Sequence, residues 1–160
     1  MANRAALISI QPKYVEKIVN GDKHLEFRRR WTSTPVQRLV IYGSSPIKKI
    51  MAVAEIKSVS WGKRETLWNL SKKVGGGVTR QELYEYLEGG RQAAAIEIYS
   101  VRTITGGLDP KKIFGQDFVP PQSFKYITEE VYYEIRKLCN KRVPKTILSQ
   151  SGSRKIKDEQ

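Results

Sequence analysis

Cysteine and histidine are almost missing from this chain, with one of each in 160 residues, Cys139 and His24. A lone cysteine excludes an internal disulfide framework and suits a reducing, intracellular and cytoplasmic setting. It sits in YYEIRKLCNK, on the apolar side of an expected helix, where a thiol fills core space. With the histidine far away in sequence, no metal-ligand spacing exists, so neither a metal nor another cofactor is expected. No run of about 18 apolar residues occurs, which excludes a membrane-spanning helix. The opening MANRAALISIQPKY has no long apolar core and no cleavage site, so it does not read as a secretory leader. Internal repeats are absent.

Acidic residues are also scarce, 16 against 29 basic ones, for a net charge of +13. Residues 1–64 carry 13 basic and 4 acidic groups, residues 65–140 carry 10 of each, and residues 141–160 carry 6 and 2. A basic first third and tail around a neutral remainder imply a polyanionic partner, most simply nucleic acid. An anionic membrane is a poorer match, because no basic amphipathic helix of useful length appears.

Length fits one domain with a real core, residues 1–140, followed by a basic, disordered tail, 141–160. ALISI (6–10) reads as a strand. Pro12 opens a helix in which Tyr14, Val15, Ile18 and Val19 share a face, and Gly21 closes it as a left-handed cap. Residues 23–30 alternate as a half-buried strand, Leu25 and Phe27 inward, His24, Glu26 and Arg28 on a charged face. RLVIYG (38–43), KIMAVAEIKSVSW (49–61, expected to bend) and RQAAAIEIYSVRTI (91–104) are further strands. RETLWNLSKKV (64–74) is a helix stopped by Gly75, Gly76 and Gly77, and Thr79 with Glu82 forms a capping box for the next one. GGLDP (106–110) reads as a turn, PPQSF (120–124) as an extended loop, and a last helix begins at Thr128. Strands and helices do not alternate strictly, which argues against a parallel doubly wound sheet. An α+β fold is expected, a mixed β pseudo-barrel of five to six strands surrounded by helices.

The glycine run follows a helix rather than a strand and precedes no lysine–serine or lysine–threonine pair, so it is a poor phosphate loop. The two helices around it do not read as a DNA-reading pair, since Glu82, Glu85 and Glu88 would repel phosphates; a packing hairpin is preferred. Arg28, Arg29, Arg30 and Trp31 combine guanidinium forks with an aromatic ring that can stack on an unpaired base. A charge-guarded edge strand is the plainer explanation of the same run. Lys48, Lys49, Lys57, Lys63 and Arg64 add to its field. Glu97 interrupts the apolar strand AAAIEIY, sharing a face with Ala95 and Tyr99. A carboxylate there is costly unless it is paired, with Lys23 or Arg28 as the obvious cations, or open to a cleft.

Gly21, Lys23, Glu26 and Arg28 meet a glycine–x–lysine–x–x–glutamate–x–arginine pattern. This string, with its strand-and-helix lead-in, the strands IMAVAEI and AAAIEIYSV and the loop PPQSFKYIT, resembles the ASCH family over residues 5–140. The resemblance implies a PUA-like pseudo-barrel with a cleft. It also implies an RNA-binding module, some members of the family being linked to control of transcription or translation. One branch removes the acetyl group of 4-acetylcytidine with a lysine, a threonine and a later glutamate. Lys23 matches the lysine and Glu97 the glutamate, but Glu26 stands where the threonine would be. Other relatives cut RNA.

The expected site is therefore a charged cleft for RNA, single-stranded or structured, or for a nucleotide-like ligand. Gly21 swings Lys23 into it, and Glu26 orients Lys23 or Arg28. Lys23, Arg28, Arg29 and Arg30 meet a phosphate or a base edge, Glu97 forms the opposite wall, and Trp31 or Tyr99 stacks. The alternative is an amidohydrolase or a ribonuclease with Lys23 and Glu97 as its acid–base pair. A DNA-associated regulator using only the tail is the third option.

Overall fold

The computed structural model describes residues 4–144. Among the described residues seven strands form one mixed sheet: β1 (Ala5–Ile10), β2 (Leu25–Arg28), β3 (Arg38–Gly43), β4 (Lys49–Gly62), β5 (Ala93–Leu108), β6 (Phe124–Ile127) and β7 (Lys141–Arg142). The spatial order is β2-β5-β4-β3-β1-β6, with β7 on the distal half of β5. Only β1 and β3 run parallel; the other pairs are antiparallel. Five helices decorate the sheet among the described residues: α1 (Pro12–Val19), α2 (Arg64–Val74), α3 (Arg80–Tyr86), α4 (Lys111–Phe114) and α5 (Glu129–Lys137).

Alternation along the strands divides the core into faces. Ala6, Ile8 and Ile10 of β1, Leu39 and Ile41 of β3, and Ile96 and Ile98 of β5 share one cluster with Val15 and Ile18 of α1. Ala5, Leu7, Val40 and Tyr42 point the other way, toward Tyr132 and Ile135 of α5. Leu25, Phe27, Ala93 and Ala95 meet Leu67 of α2 and Leu83 of α3. α1 runs from Pro12 to Val19 with Asn20 as its cap, and Gly21 follows at a φ of 83°. α2 ends at Gly75 with a φ of 96°, and α3 starts with the capping box of Thr79 and Glu82.

Three elements differ from the sequence reading. GGLDP is not a free turn; β5 runs on through Gly106 and Gly107 to Leu108, beside Ile50. Half of PPQSFKYIT is strand, because Phe124–Ile127 pairs with β1 and hides Phe124 against Trp31. Lys141–Arg142, placed in the tail, pairs with Arg102 and Thr103; the rest of the tail, 145–160, lies outside the described residues. Cys139 packs behind α5, where burial raises its thiol above the ordinary range, as a core-filling role requires. Among the described residues no helix is long and apolar enough to cross a membrane.

Candidate nucleic-acid interface

The charged face of β2 is buried. Glu26 and Arg28 stand opposite Ile96 and Ala94, on the face that carries the α1 cluster. The sheet begins at β2 and ends at β1 and β6, and Arg28 spans that opening. Its Nη1 donates to the Ser9 carbonyl at 3.1 Å and to Glu26 Oε2 at 3.2 Å. Its Nη2 donates to the Ser123 carbonyl at 3.1 Å and to Ser123 Oγ at 3.2 Å. Ser9 Oγ in turn donates to the Pro121 carbonyl at 2.6 Å. The guanidinium fork thus replaces the ladder that would close the barrel, and Glu26 neutralises it inside. A half-buried strand with a solvated charged side is not what forms, because both sides of β2 are covered.

Lys23 leaves the turn at Gly21 as expected, but it enters the protein and not a cleft. It is 2% exposed, and its Nζ donates to the Gly76 carbonyl at 2.6 Å. The ammonium lies 4.6 Å from the Tyr14 ring centre and 5.2 Å from that of Phe27. Burial pushes its pKa down to about 8, against the raising influence of Glu26. The glycine run is explained by this contact. A Cβ on Gly77, where φ is +67°, would stand 2.8 Å from Lys23 Cβ and Cγ. His24 ties the same loop: its Nδ1 lies 2.7 Å from the Val74 carbonyl and its Nε2 3.3 Å from the Gly21 carbonyl.

Glu97 does not face this group. It stands opposite Leu25, on the sheet face away from Glu26 and Arg28. Its oxygens lie 3.7 Å from Lys57 Nζ and 3.5 Å from Ser58 Oγ. The sequence reading of a paired carboxylate holds, but the cation is Lys57. Lys23 and Glu97 consequently do not form one acid–base pair in this arrangement.

A cleft of about 510 Å³ opens beside the seam. β3 pairs with β4 only as far as Glu55, so the half of β4 from Ile56 to Gly62 has β5 on one edge and the 31–37 connection on the other. Trp31, Trp61 and Tyr99 line the cleft, with Lys57, Ser58, Val59 and the polar run Thr32, Ser33 and Thr34. Trp61 is 46% exposed and Tyr99 37%. Trp31 is held from behind by Phe124, with ring centres 4.7 Å apart. Thr32 is pinned by the Tyr126 hydroxyl and by the Thr34 amide. By register Arg28, Ala94 and Trp61 form one row across three strands.

Trp31 and Tyr99 are therefore the two residues of the predicted set that line the cleft. Arg29 and Arg30 are exposed at the end of β2. Trp61 was missed as a site residue, although an aromatic ending the alternating strand SVSW was its signal. The polar 32–37 connection carried none.

An open mixed barrel tied by a lysine–glutamate–arginine signature defines a PUA-like domain. No protein-family profile matches the chain. A curated ASCH domain-containing ribonuclease of Zymomonas mobilis subsp. mobilis is 30% identical over 129 residues, covering 79% of this chain and 86% of that protein. The crystal structure of an ASCH protein from Zymomonas mobilis matches with a TM-score of 0.75 at 28% identity, over 86% of this chain and 96% of that one. A tyrosine-to-phenylalanine variant of ZmASCH matches with a TM-score of 0.72 at 29% identity, over 85% and 99%. The chain belongs to the ASCH domain family.

Proposed function

We propose that this ASCH domain binds single-stranded RNA, with bases stacked in the Trp31–Trp61–Tyr99 cleft and phosphates met by Lys57, Arg29 and Arg30. The observation that carries this reading is the cleft itself: three aromatic rings and a lysine around about 510 Å³ on a chain of net charge +13. Every base has a π-face, so such a platform grips unpaired strands and rejects duplexes, whose bases are already stacked. In this reading the chain works inside the cell, as a regulator of transcription or translation. Trp61→Ala should weaken single-stranded RNA binding by about 1–3 kcal/mol, read by fluorescence anisotropy. Equal affinity of the wild type for single-stranded RNA, duplex RNA and duplex DNA would refute the cleft and leave only bare charge.

RNA cleavage is the second reading, favoured by the ribonuclease relative and by the contact of Glu97 with Lys57 and Ser58, two residues that line the cleft. Glu97 would take the proton of a ribose 2′-hydroxyl, whose oxygen attacks the adjacent phosphorus. The P–O5′ bond breaks, leaving a 2′,3′-cyclic phosphate, and the departing 5′-oxygen takes a proton from solvent water, while Lys57 balances the charge on phosphorus. A 2′-deoxy substitution at the cleaved position should abolish cutting, and so should Glu97→Gln. Deacetylation of 4-acetylcytidine would need Lys23 in contact with substrate. With its ammonium closed under Gly76, no conversion is expected on incubation with that nucleoside.

A further inference from the structure

We infer that a second RNA-binding surface, a cation strip over the α2–α3 hairpin, continues the cleft and takes the phosphate backbone of the same strand. The inference rests on the cleft reading above. It starts from the register. Arg28 and Trp61 both stand opposite Ala94, and Gly62 stands opposite Ala93. The residues after Arg28, those after Gly62 and those before Ala93 therefore leave the sheet at one end. Arg29, Arg30, Lys63, Arg64 and Arg91 converge there, beside Trp31 and Trp61 of the cleft.

α3 extends this group. Tyr84 gathers two cations, with the Arg64 guanidinium 4.7 Å and the Arg80 guanidinium 4.3 Å from its ring centre. Tyr86 holds the Arg29 guanidinium at 4.9 Å, and its hydroxyl accepts from the Arg29 backbone amide at 3.4 Å. The rings fix these long side chains in place, so less rotamer freedom is lost when a phosphate arrives. Two guanidiniums on one ring repel each other, and an anion between them relieves that repulsion. Glu65 offsets part of the field, 3.2 Å from Arg64 Nε. Glu82 is neutralised by Lys13 Nζ at 2.8 Å, Glu85 accepts from Gln81 at 3.1 Å, and Glu88 lies exposed past the end of α3. Among the described residues the guanidiniums of Arg29 and Arg80 bond no protein acceptor and face solvent. The occupant is a flexible polyanion and not an acidic protein face, because a chain must bend round the end of the sheet to pass from the cleft, on one face, to the hairpin, on the other.

The residues of the neutral central segment thus join the basic first third in space. Length dependence tests this. A uridine trinucleotide fits the cleft alone, whereas an oligouridine of about 12 nucleotides reaches the strip. In the Arg64→Ala, Arg80→Ala, Arg91→Ala triple variant the longer oligomer should bind at least about tenfold more weakly. Its salt slope should flatten by about 2, three contacts at about 0.7 each. Trinucleotide affinity should not change, and the corresponding triple lysine variant should keep the slope. Trp61→Ala should weaken both oligomers. If the triple alanine variant binds the longer oligomer with unchanged affinity and slope while Trp61→Ala still weakens both, the strip is refuted and the cleft stands. If Trp61→Ala changes neither, the cleft reading falls, and the strip as its continuation falls with it.

Discussion

Replacing Arg28 by methionine tests whether the signature arginine is a closure of the barrel. The side chain meets four acceptors, Ser9 O, Glu26 Oε2, Ser123 O and Ser123 Oγ, all at 3.1–3.2 Å. Methionine keeps the apolar stem and removes every donor. The Glu26 carboxylate, 8% exposed and paired in this way, is then left buried without its cation. Breaking a buried pair on one side costs about 3–5 kcal/mol. For a chain of this size each kcal/mol moves the melting temperature by about 2–4 °C, so the variant should melt roughly 10–15 °C lower. Glu26→Gln combined with Arg28→Met removes the stranded charge, so the double variant should recover at least about 1 kcal/mol of that loss. Urea unfolding followed by tryptophan fluorescence reads both. A loss below about 1 kcal/mol, the size of an exposed pair, would refute the closure.

Lys23 predicts a pH dependence. Its folded pKa is lowered from 10.5 to about 8, so the unfolded chain binds the proton more tightly. Stability therefore rises as pH increases from about 8 to 10.5, by about 3 kcal/mol for the full drop. Measured against Lys23→Met, which cancels the other titrating groups, wild-type unfolding free energy should gain across that window; a flat difference would contradict the burial of the ammonium. Gly77→Ala places a Cβ 2.8 Å from the Lys23 stem at a positive φ, and should destabilise by about 1–3 kcal/mol in a denaturant titration. Thr79→Ala removes the side-chain acceptor of the capping box and should cost about 1 kcal/mol in the same assay.

Periodicity made most of the fold legible. Tyr14, Val15 and Ile18 at helical spacing, the apolar strands 38–43 and 49–61, and the Thr79–Glu82 box all report local preferences that the tertiary structure keeps. β6 and β7 were not legible, since FKYI and Lys141–Arg142 become strands only by meeting an edge of β1 or β5. The site was legible in part. Trp31 and Tyr99 were chosen for their rings, and both line the cleft. Lys23, Glu26 and Arg28 were chosen for their charges, and charge says nothing of which side of a strand is covered. Glu97 illustrates the missing information most plainly: its partner depended on the register with β2 and on the bulge that sets Ser58 against it.

The placement of the signature carries a consequence for how the fold relates to chemistry. Glycine at 21 turns the chain, Lys23 fills the space under the glycine run, and Glu26 with Arg28 ties β2 to β1 and to the residue before β6. Each of these roles concerns the seam of an open barrel. The groups that meet RNA in the proposed reading, Arg29, Arg30, Trp31, Lys57, Trp61 and Tyr99, all follow the signature in sequence, at the end of β2, on the 31–37 connection and on the strands β4 and β5. A chain can then keep the signature and change its partner by altering those positions alone. Conversely, a variant that loses the signature should fail first in stability and only secondarily in binding. Comparing Arg28→Lys with Trp61→Ala separates the two: the first should lower the melting temperature and keep RNA affinity below it, the second should keep the melting temperature and lose the affinity. Loss of affinity in folded Arg28→Lys would show that the seam itself touches RNA.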